Sequence, residues 1–595
     1  MTTFLHWIRN IAVGTLNAFA KTVLFIVLLF VVLIVVGMMR GDGLPGNMVL
    51  TADLRTPMAD SSQPGPFDLG DRPVTVMDFV LALDRAGRDS RVKGVFLRLG
   101  TGNISVAQSE ELDAAIKRFR ATGKFVVAHS QGFLTSGLGD YLTAASANEI
   151  WMQPQAPFGT AGAGVGEIFL RGLFDKIQAV PQIAKRADYK SAADMYMEKD
   201  FTGPDREQLT ALLQSWYDTG TVDAGAMRKL DPKAVVAAFE ASPQFAEDAK
   251  AKGLIDKIGY DDDAKTAATV RGGDAHAVNI TKYIRAMHDD QRPASEAHIA
   301  LITASGDIVD GSAGGGGFGG SASVIAGDDY ANAIRQATKD SNIRAIVLRV
   351  DSPGGSVSAS DQILDAVKKA QIAGKPVVVS MGTLAASGGY YISTSANRIV
   401  AEPGTITGSI GVLTGKVSFA KSLGLLGVTV GEVGVGRNAL FDSAASPYTP
   451  DQWANLNHQA DVIYADFTRK VAAGRKLPLA QVQQIARGRV WTGADAKSRG
   501  LVDQLGGFWT AVADAQRLAG LPQDGAVVFK QFPERRGFFS AIGSAFSGSV
   551  AGFRAMEGLA AIEQMPLARS VMHAAADAPR DGVEMRATGL PGETQ

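Results

Sequence analysis

The chain contains two related copies of one sequence, and this duplication limits its architecture more than any other feature. Residues 92–116 read VKGVFLRLGTGNISVAQSEELDAAI and residues 343–367 read IRAIVLRVDSPGGSVSASDQILDAV, an offset of 251 residues. The similarity continues through SANEI at Ser146 and SANRI at Ser395, and through AKGLIDKIG at Ala251 and SRGLVDQLG at Ser498. A period this long excludes a solenoid and predicts two tandem domains of roughly 200 residues each.

Each copy alternates between strand-like and helix-like segments. AIVLRV and PVVVSM have the continuous apolar character of buried parallel strands, and ASDQILDAVKKAQIAG between them has a helical pattern. The fold class is therefore α/β. We expect a first repeat over residues 46–265, a polar linker over 266–297 and a second repeat over 298–525. The remaining residues, 526–595, are expected to form an apolar helical segment and a disordered tail.

An uncharged apolar run, Thr22 to Met39, lies near the start of the chain. As a helix it would span roughly 27 Å, close to the thickness of a bilayer core. The run is longer than the apolar region of a cleaved signal peptide, and no small-x-small cleavage pattern follows it. We therefore expect residues 1–45 to form a cytoplasmic N-terminus followed by a single transmembrane anchor. Arg9 and Lys21 favour a cytoplasmic N-terminus, whereas Arg40 on the far side weakens that signal.

The composition excludes several classes of function. The chain has no cysteine, so thiol nucleophiles, disulfides and thiolate metal sites are excluded. Its 59 lysines and arginines balance 60 aspartates and glutamates, and this near-neutral charge argues against a nucleic-acid partner.

The two copies differ in a glycine turn that follows a strand. The second copy reads DSPGGSVSAS from Asp351, and the bare N–H groups of Gly354 and Gly355 would suit the oxyanion of a tetrahedral intermediate. The first copy has Asn103 and Ile104 at these positions. Taken alone, the turn is better explained by a purely structural role in tight packing.

A serine between a strand-like run and a helix-like segment is the second difference. Ser387 lies in LAASGGYY, and the aligned residue of the first copy is Leu138, which cannot act as a nucleophile. The joint loss of the serine and the glycines from one copy indicates that the second copy carries the chemistry.

A serine nucleophile needs a general base. None of the seven histidines has an obvious acidic partner to orient it, so a Ser-His-Asp triad is left open without support. A buried lysine is the other base that can serve a serine, since burial disfavours its charged form. The first copy has four candidate lysines after its SANEI segment: Lys176, Lys185, Lys190 and Lys199. Lys190, in ADYKSAAD, has the smallest neighbours among them.

The tandem α/β repeat, the apolar N-terminal run and four motifs together resemble the long form of signal peptide peptidase A, the membrane-anchored protease IV family of bacteria. The motifs are YKSA in the first repeat and DSPGGSV, LAASGGYYIS and TGSIGV in the second. The resemblance implies a crotonase-like (ClpP-type) fold in each repeat and a Ser-Lys dyad without metal or cofactor. The residues it implicates are Ser387 as nucleophile, Lys190 as base, Ser409 beside the lysine amine, and Gly355, Gly388 and Gly354 as oxyanion donors.

The resemblance further implies a homotetrameric endopeptidase of the bacterial inner membrane, with its catalytic part on the periplasmic side. Its expected substrates are cleaved signal peptides and other short apolar peptides, and residues 22–39 would contact the lipid bilayer. Two alternatives are a crotonase-like acyl-CoA enzyme and a non-catalytic membrane scaffold. Because the lysine and the serine lie in different repeats, the site is expected where the repeats meet.

Overall fold

The computed structural model describes residues 21, 42–61, 73–135, 137–289, 298–312, 324–523, 527–533 and 584–586. The predicted membrane anchor, 22–39, lies outside these residues. Within the described part of the chain, no helix is both long and apolar enough to cross a bilayer.

The first repeat is built on a parallel sheet. Its strands are β1 (Met48–Asp53), β2 (Val92–Leu99), β3 (Phe125–Ser130), β4 (Glu149–Met152), β5 (Pro157–Phe158), β6 (Val180–Arg186), β7 (Gln244–Phe245), β8 (Lys257–Ile258) and β9 (His276–Asn279). Six of them form the sheet in the order β8–β4–β3–β2–β1–β9, and every neighbouring pair is parallel.

Helices connect and cover these strands. They are α1 (Val76–Arg88), α2 (Val106–Arg120), α3 (Gly139–Ala145), α4 (Arg171–Ile177), α5 (Asp194–Met197), α6 (Gly203–Arg228), α7 (Pro232–Glu240), α8 (Ala246–Ala251), α9 (Asp261–Arg271) and α10 (Ile280–Asp289). Helix α2 begins where the sequence suggests, because the Ser105 hydroxyl accepts a hydrogen bond from the Gln108 N–H.

The second repeat repeats this plan. Its strands are β10 (Ile299–Ser305), β11 (Asp307–Val309), β12 (Val324–Ala326), β13 (Ala345–Ser352), β14 (Gly354–Ser356), β15 (Val377–Ala386), β16 (Arg398–Ala401), β17 (Ile406–Gly408), β18 (Val412–Ser418), β19 (Val490–Thr492), β20 (Gln504–Leu505), β21 (Phe529–Phe532) and β22 (Glu584–Arg586). The main sheet runs β19–β17–β15–β13–β10–β21, and β16 joins β15 to β20. All ten residues of β15 are buried, which explains its continuous apolar sequence.

The helices of the second repeat are α11 (Gly327–Lys339), α12 (Val357–Ile372), α13 (Gly388–Ser393), α14 (Ala420–Gly424), α15 (Pro450–Arg475), α16 (Leu479–Ile485), α17 (Gly493–Ser498) and α18 (Phe508–Ala519). Helix α12 is the counterpart of α2, and Ser356 caps it as Ser105 caps α2. The α/β character expected of both repeats is therefore observed.

The expected limits of the repeats need correction at two places. The segment 266–297 is not only a polar linker, because β9 completes the first sheet beside β1 and Tyr283 of α10 is buried in the core. The second sheet extends past residue 525, because β21 pairs with β10. Both strands have only four residues, which is too short for an apolar pattern to reveal them.

A third sheet joins the two repeats. Its order is β12–β11–β14–β22–β18–β6, so it combines β6 of the first repeat with strands of the second. Strands β6 and β18 pair antiparallel over seven residues, from Val180 opposite Ser418 to Arg186 opposite Val412. This pairing carries the chain that follows β6 onto the second repeat.

A buried ion cluster also spans the contact between the repeats. Arg349 of β13 donates to the Asp60 carboxylate at 2.6 Å and to the Glu111 carboxylate at 2.7 Å, and all three side chains are almost completely buried. Nearby, Glu110 of α2 accepts the Gly404 N–H at 2.7 Å. Burial nevertheless raises the pKa of Glu110 to about 8.

Candidate functional site

The serine singled out in the sequence occupies the junction between β15 and α13. Ser387 immediately precedes α13 and has φ 55° and ψ −114°, a conformation that serine adopts only under constraint from its surroundings. Its N–H donates to the Gly408 carbonyl at 2.9 Å, which ties the turn to β17. The side chain is completely buried. A sharp strand-to-helix turn of this kind holds the serine hydroxyl in a fixed position.

Lys190 of the first repeat reaches the Ser387 hydroxyl. It lies four residues after β6, and the backbone around it packs against the second repeat: Tyr189 N–H donates to the Arg487 carbonyl. A Cβ at Gly488 would lie 2.6 Å from Lys190 Cβ, so only glycine allows this approach. The lysine side chain is 1% exposed.

The amine and the hydroxyl are in direct contact. Lys190 Nζ lies 2.8 Å from Ser387 Oγ, 2.9 Å from Ser409 Oγ and 3.3 Å from the Ser409 carbonyl oxygen. A neutral amine has two N–H donors and one lone pair. Ser409 can accept both N–H groups, and the lone pair then faces the Ser387 hydroxyl. The structure thus brings together three of the six residues that the resemblance implicates: Lys190, Ser387 and Ser409.

Burial controls the protonation of this lysine. It lowers the pKa of Lys190 from 10.5 to about 7, and burial is the single cause of the shift. The amine is therefore largely neutral at slightly alkaline pH, which is the form required of a base.

The glycine turn lies against the helix that follows Ser387. A Cβ on Gly388 would lie 3.0 Å from Gly354 Cα and 3.1 Å from Gly355 N. Gly388 is the first residue of α13, so its N–H has no carbonyl partner within the helix. Gly355 has φ 143°, and a Cβ there would lie 2.1 Å from the Ile308 carbonyl oxygen. Glycine is therefore required at position 355 for both conformation and space.

The N–H of Gly354 has a partner of its own. It donates to Ser352 Oγ at 3.1 Å. Gly355 and Gly388 are accordingly better candidates than Gly354 for binding an oxyanion. Sequence reasoning did not identify Ser352, although a serine two residues before a turn amide is a recognised local hydrogen-bonding pattern.

The corresponding turn of the first repeat is filled by an aspartate. Asp140, in the first turn of α3, accepts the Gly100 N–H at 2.8 Å and the Ile104 N–H at 3.3 Å. It also bonds to the backbone of Gly102 and Thr101, while burial raises its pKa. Leu138 precedes α3 as Ser387 precedes α13. The first repeat thus retains a cluster of amides but satisfies it internally.

Asp140 was also missed in the sequence, where a signal existed. The alignment that sets Leu138 opposite Ser387 also sets Asp140 opposite Gly389. A Cβ on Gly389 would lie 2.7 Å from the Ser352 carbonyl oxygen, so the second repeat has no room for a side chain there.

Comparison with known proteins identifies the family. The profile of peptidase family S49 matches residues 118–272 and 369–522, once in each repeat, and that of Clp protease matches residues 328–403. Protease 4 of Salmonella typhi is 34% identical over 466 residues, which are 76% of this chain and 73% of that protein. The chloroplastic serine protease SPPA of Arabidopsis thaliana is 32% identical and covers 80% of this chain and 70% of its own length.

Two solved structures are also similar, each over a smaller part of the chain. A mutant of the 1510-N membrane-bound stomatin-specific protease in complex with a substrate peptide covers 43% of this chain and 99% of its own, at 16% identity and a TM-score of 0.25. A mutant ClpP1 from Listeria monocytogenes covers 37% and 96%, at 14% identity and a TM-score of 0.22.

The family matches, one in each repeat, and the relatives aligned over most of the chain agree with the duplicated α/β architecture. They favour a protease over the acyl-CoA enzyme and the scaffold that the sequence left as alternatives. The chain therefore belongs to peptidase family S49, and it is a serine protease of the tandem-repeat, long form of signal peptide peptidase A.

Proposed function

We propose that the chain is an endopeptidase that works with a Ser-Lys dyad, in which Ser387 is the nucleophile and Lys190 the general base. The observation that carries the proposal is the 2.8 Å contact between Lys190 Nζ and Ser387 Oγ, made by two buried residues 197 positions apart. Burial lowers the pKa of Lys190 to about 7, which suits a general base beside a serine at a strained turn.

The first half-reaction forms an acyl-enzyme. Lys190 Nζ takes the proton of the Ser387 hydroxyl as Oγ bonds to the carbonyl carbon of a peptide. The carbonyl π electrons move to the oxygen, where the N–H groups of Gly355 and Gly388 stabilise the negative charge. When the intermediate collapses, the C–N bond breaks and the lysine gives its proton to the leaving amine.

The second half-reaction regenerates the serine. Lys190 takes a proton from water, whose oxygen bonds to the ester carbon, and the new oxyanion occupies the same two N–H groups. The Oγ–carbon bond then breaks, and the proton returns to Ser387. Ser409 keeps the lone pair of the amine directed at Oγ throughout, because it accepts the two N–H groups of the neutral amine.

The setting of this chemistry follows from the apolar N-terminal run and from the relatives. We place the enzyme at the bacterial inner membrane, anchored by residues 22–39, with the catalytic part on the periplasmic side. Its substrates would be cleaved signal peptides and other short apolar peptides released near the bilayer. We also propose a homotetramer, which the resemblance to signal peptide peptidase A implies.

The test replaces each dyad residue and a matched control. Ser387→Ala and Lys190→Ala should each lower kcat on an apolar peptide ester by about 10³-fold or more. Ser109→Ala, at a buried serine of the first repeat, and Lys199→Ala, at a lysine that is 68% exposed, should retain activity. A fluorophosphonate should label the wild type at Ser387. Substantial activity in either dyad variant, with its unfolding midpoint unchanged, would contradict the mechanism.

A further inference from the structure

The segment that carries Lys190 is neither helix nor strand. Lys190 lies in the loop between β6 and α5, and its side chain is a flexible stem of four methylene groups. The contacts of the amine with Ser387 and Ser409 describe where the end of this stem lies, but they do not fix the backbone from which it extends. The contacts that hold the loop therefore decide whether the amine keeps its place.

Gln208 holds this loop on both sides of the lysine. It lies in the second turn of α6 and is only 2% exposed. Its Nε2 donates to the Tyr189 carbonyl at 3.0 Å and lies 2.9 Å from both Ser191 Oγ and Asp205 Oδ1. Tyr189 and Ser191 are the two residues that flank Lys190. One buried amide therefore contacts the backbone before the base and the side chain after it.

The carbonyl oxygen of the same glutamine contacts the second repeat. It accepts the Val490 N–H of β19 at 3.2 Å. Val490 lies opposite Gly408 of β17, and the Gly408 carbonyl accepts the Ser387 N–H at 2.9 Å. The Ser409 N–H donates to the Arg489 carbonyl, one residue before Val490, at 2.8 Å. A single side chain thus joins the loop of the base to the strands that hold the nucleophile and Ser409.

The neighbouring residue, Glu207, makes a similar connection in water. Its carboxylate accepts the Tyr189 hydroxyl at 2.9 Å and Arg489 Nη1 at 2.6 Å, but the Glu207 side chain is 57% exposed. An ion pair at the surface contributes little to stability. Gln208 makes its hydrogen bonds away from water, where a group that loses its partner is costly. Of these two connections, the buried one is therefore the stronger constraint on the loop.

We infer that Gln208 is a positioning residue, whose buried amide joins the Lys190 loop to β19 and thereby sets the lysine amine against Ser387 and Ser409. The inference rests on the proposed function for the roles of base and nucleophile. Gln208 acts through the backbone and side chains of its neighbours, so its loss should leave the composition of the dyad and of the oxyanion turn unchanged.

Loss of this amide should affect the reaction in two ways. A displacement of about 1 Å at the base costs on the order of 10²-fold in rate. A loosened junction would also admit water to the amine, and the pKa of Lys190, which burial lowers to about 7, would rise toward 10.5. A higher pKa leaves more of the amine protonated at neutral pH, so the increase of kcat/KM with pH would move to higher pH.

Replacement of Gln208 by methionine tests both effects. Gln208→Met keeps a side chain of similar length and removes every hydrogen bond of the amide. We expect kcat on a peptide ester to fall by about 10- to 100-fold with KM unchanged, because the oxyanion turn is not altered. The pH midpoint of kcat/KM should rise by about one unit or more. Gln214→Met is the matched control: Gln214 is an exposed glutamine of the same helix that donates to Asp218, and its loss should change neither quantity.

Unfolding by urea separates positioning from stability alone. A glutamine that only stabilised the fold would lower the urea midpoint of Gln208→Met and leave kcat and the pH midpoint of the folded enzyme unchanged, and this result would overturn the inference. Gln208→Asn is the second variant if the methionine chain does not fold. It keeps the amide but is one methylene shorter, so it cannot reach the Lys190 loop and Val490 together. It should change kcat and the pH midpoint in the same direction, and wild-type values would overturn the inference.

A measurement without turnover distinguishes this inference from the proposed function. Trace acetylation by acetic anhydride over a range of pH, read by mass spectrometry, reports the pKa of Lys190 in a chain carrying Ser387→Ala. The midpoint should rise when Gln208→Met is added and stay unchanged when Gln214→Met is added. If it rises while Lys190→Ala keeps full activity, the proposed function fails and the positioning of Lys190 stands. If both dyad variants are inactive while Gln208→Met matches the wild type in kcat and pH midpoint, the positioning role alone fails.

Discussion

A lysine that accepts a proton from serine must be uncharged at working pH, and its surroundings decide whether it is. Lys190 is enclosed by the junction of the two repeats, where Gly488 and Gly411 allow close approach of the second repeat. Burial alone brings its pKa to about 7. No carboxylate contributes to the shift, so the proposed base would owe its reactivity to exclusion of water rather than to a charged partner.

The pH dependence of the reaction should report this lysine. We expect kcat/KM on a neutral peptide ester to rise as pH increases through about 7, because the free enzyme is active only with Lys190 deprotonated. Lys190→Arg should be inactive over the whole range, since a guanidinium keeps its proton. A profile that is flat between pH 5 and 9, or measurable activity in Lys190→Arg, would contradict the role of Lys190 as base.

At the scale of single residues, the sequence went furthest where the two copies could be compared. Ser387 and the glycine turn stood out because Leu138, Asn103 and Ile104 replace them in the first copy. Lys190 was one of four candidate lysines, favoured only by its small neighbours, until the family resemblance selected it, because burial is a property of the whole fold. Asp140 escaped notice, since a charged residue in a helix usually faces solvent.

At the scale of elements, the short strand β14 and its neighbour β11 set the shape of the proposed oxyanion site. Gly355 lies opposite Ile308 in a parallel pairing, and the backbones approach so closely that no side chain fits between them. Gly355 also has a φ of 143°, which residues with a side chain rarely adopt. The close pairing of β14 with β11 therefore depends on glycine at position 355.

Gly355→Ala should reduce kcat by about 10²- to 10³-fold, the usual cost of losing one oxyanion donor. The new Cβ would meet the Ile308 carbonyl and displace β14 from α13. Gly374→Ala is the matched control, because Gly374 also has a positive φ, +81°, but no atom lies within 4 Å of its would-be Cβ. The measurement is kcat on a peptide ester, and similar losses in the two variants would assign the effect to general strain.

Elements were predicted well where they are long and periodic and poorly where pairing is distant. Strand β15 and helix α12 follow directly from their sequences. The pairing of β6 with β18 joins segments more than 200 residues apart, and neither strand has an alternation that would indicate its partner. Strand β22 has three residues, and three residues carry no period.

At the scale of the whole molecule, the two repeats meet through a buried ion cluster as well as through apolar surface. Arg349 holds Asp60 and Glu111 of the first repeat, and its Nη1 also donates to Ser380 Oγ at 2.9 Å. A buried cation with two carboxylates needs this full set of hydrogen bonds, because each unpaired charge would be costly. The cluster therefore fixes the relative position of the repeats on which the dyad depends.

Arg349→Met should destabilise the protein by about 3–5 kcal/mol, because Asp60 and Glu111 would remain buried without their cation. Arg469→Met is the control: Arg469 is largely exposed and pairs with Asp466 on the surface of α15, so its loss should cost at most about 1 kcal/mol. The measurement is unfolding by urea. A cost for Arg349→Met no greater than that of the control would show that the cluster does not hold the repeats together.

Asp140, the aspartate that accepts the turn amides of the first repeat, makes it difficult for that repeat to regain an oxyanion site during evolution. Loss of Asp140 alone would leave the N–H groups of Gly100 and Ile104 without the carboxylate that accepts them. Gain of a serine at position 138 alone would not create an oxyanion site, because Asp140 already occupies these N–H groups. Neither of these two substitutions alone restores a working site. The first repeat therefore cannot regain an oxyanion site by a single substitution, and this keeps it in the role of supporting the second repeat.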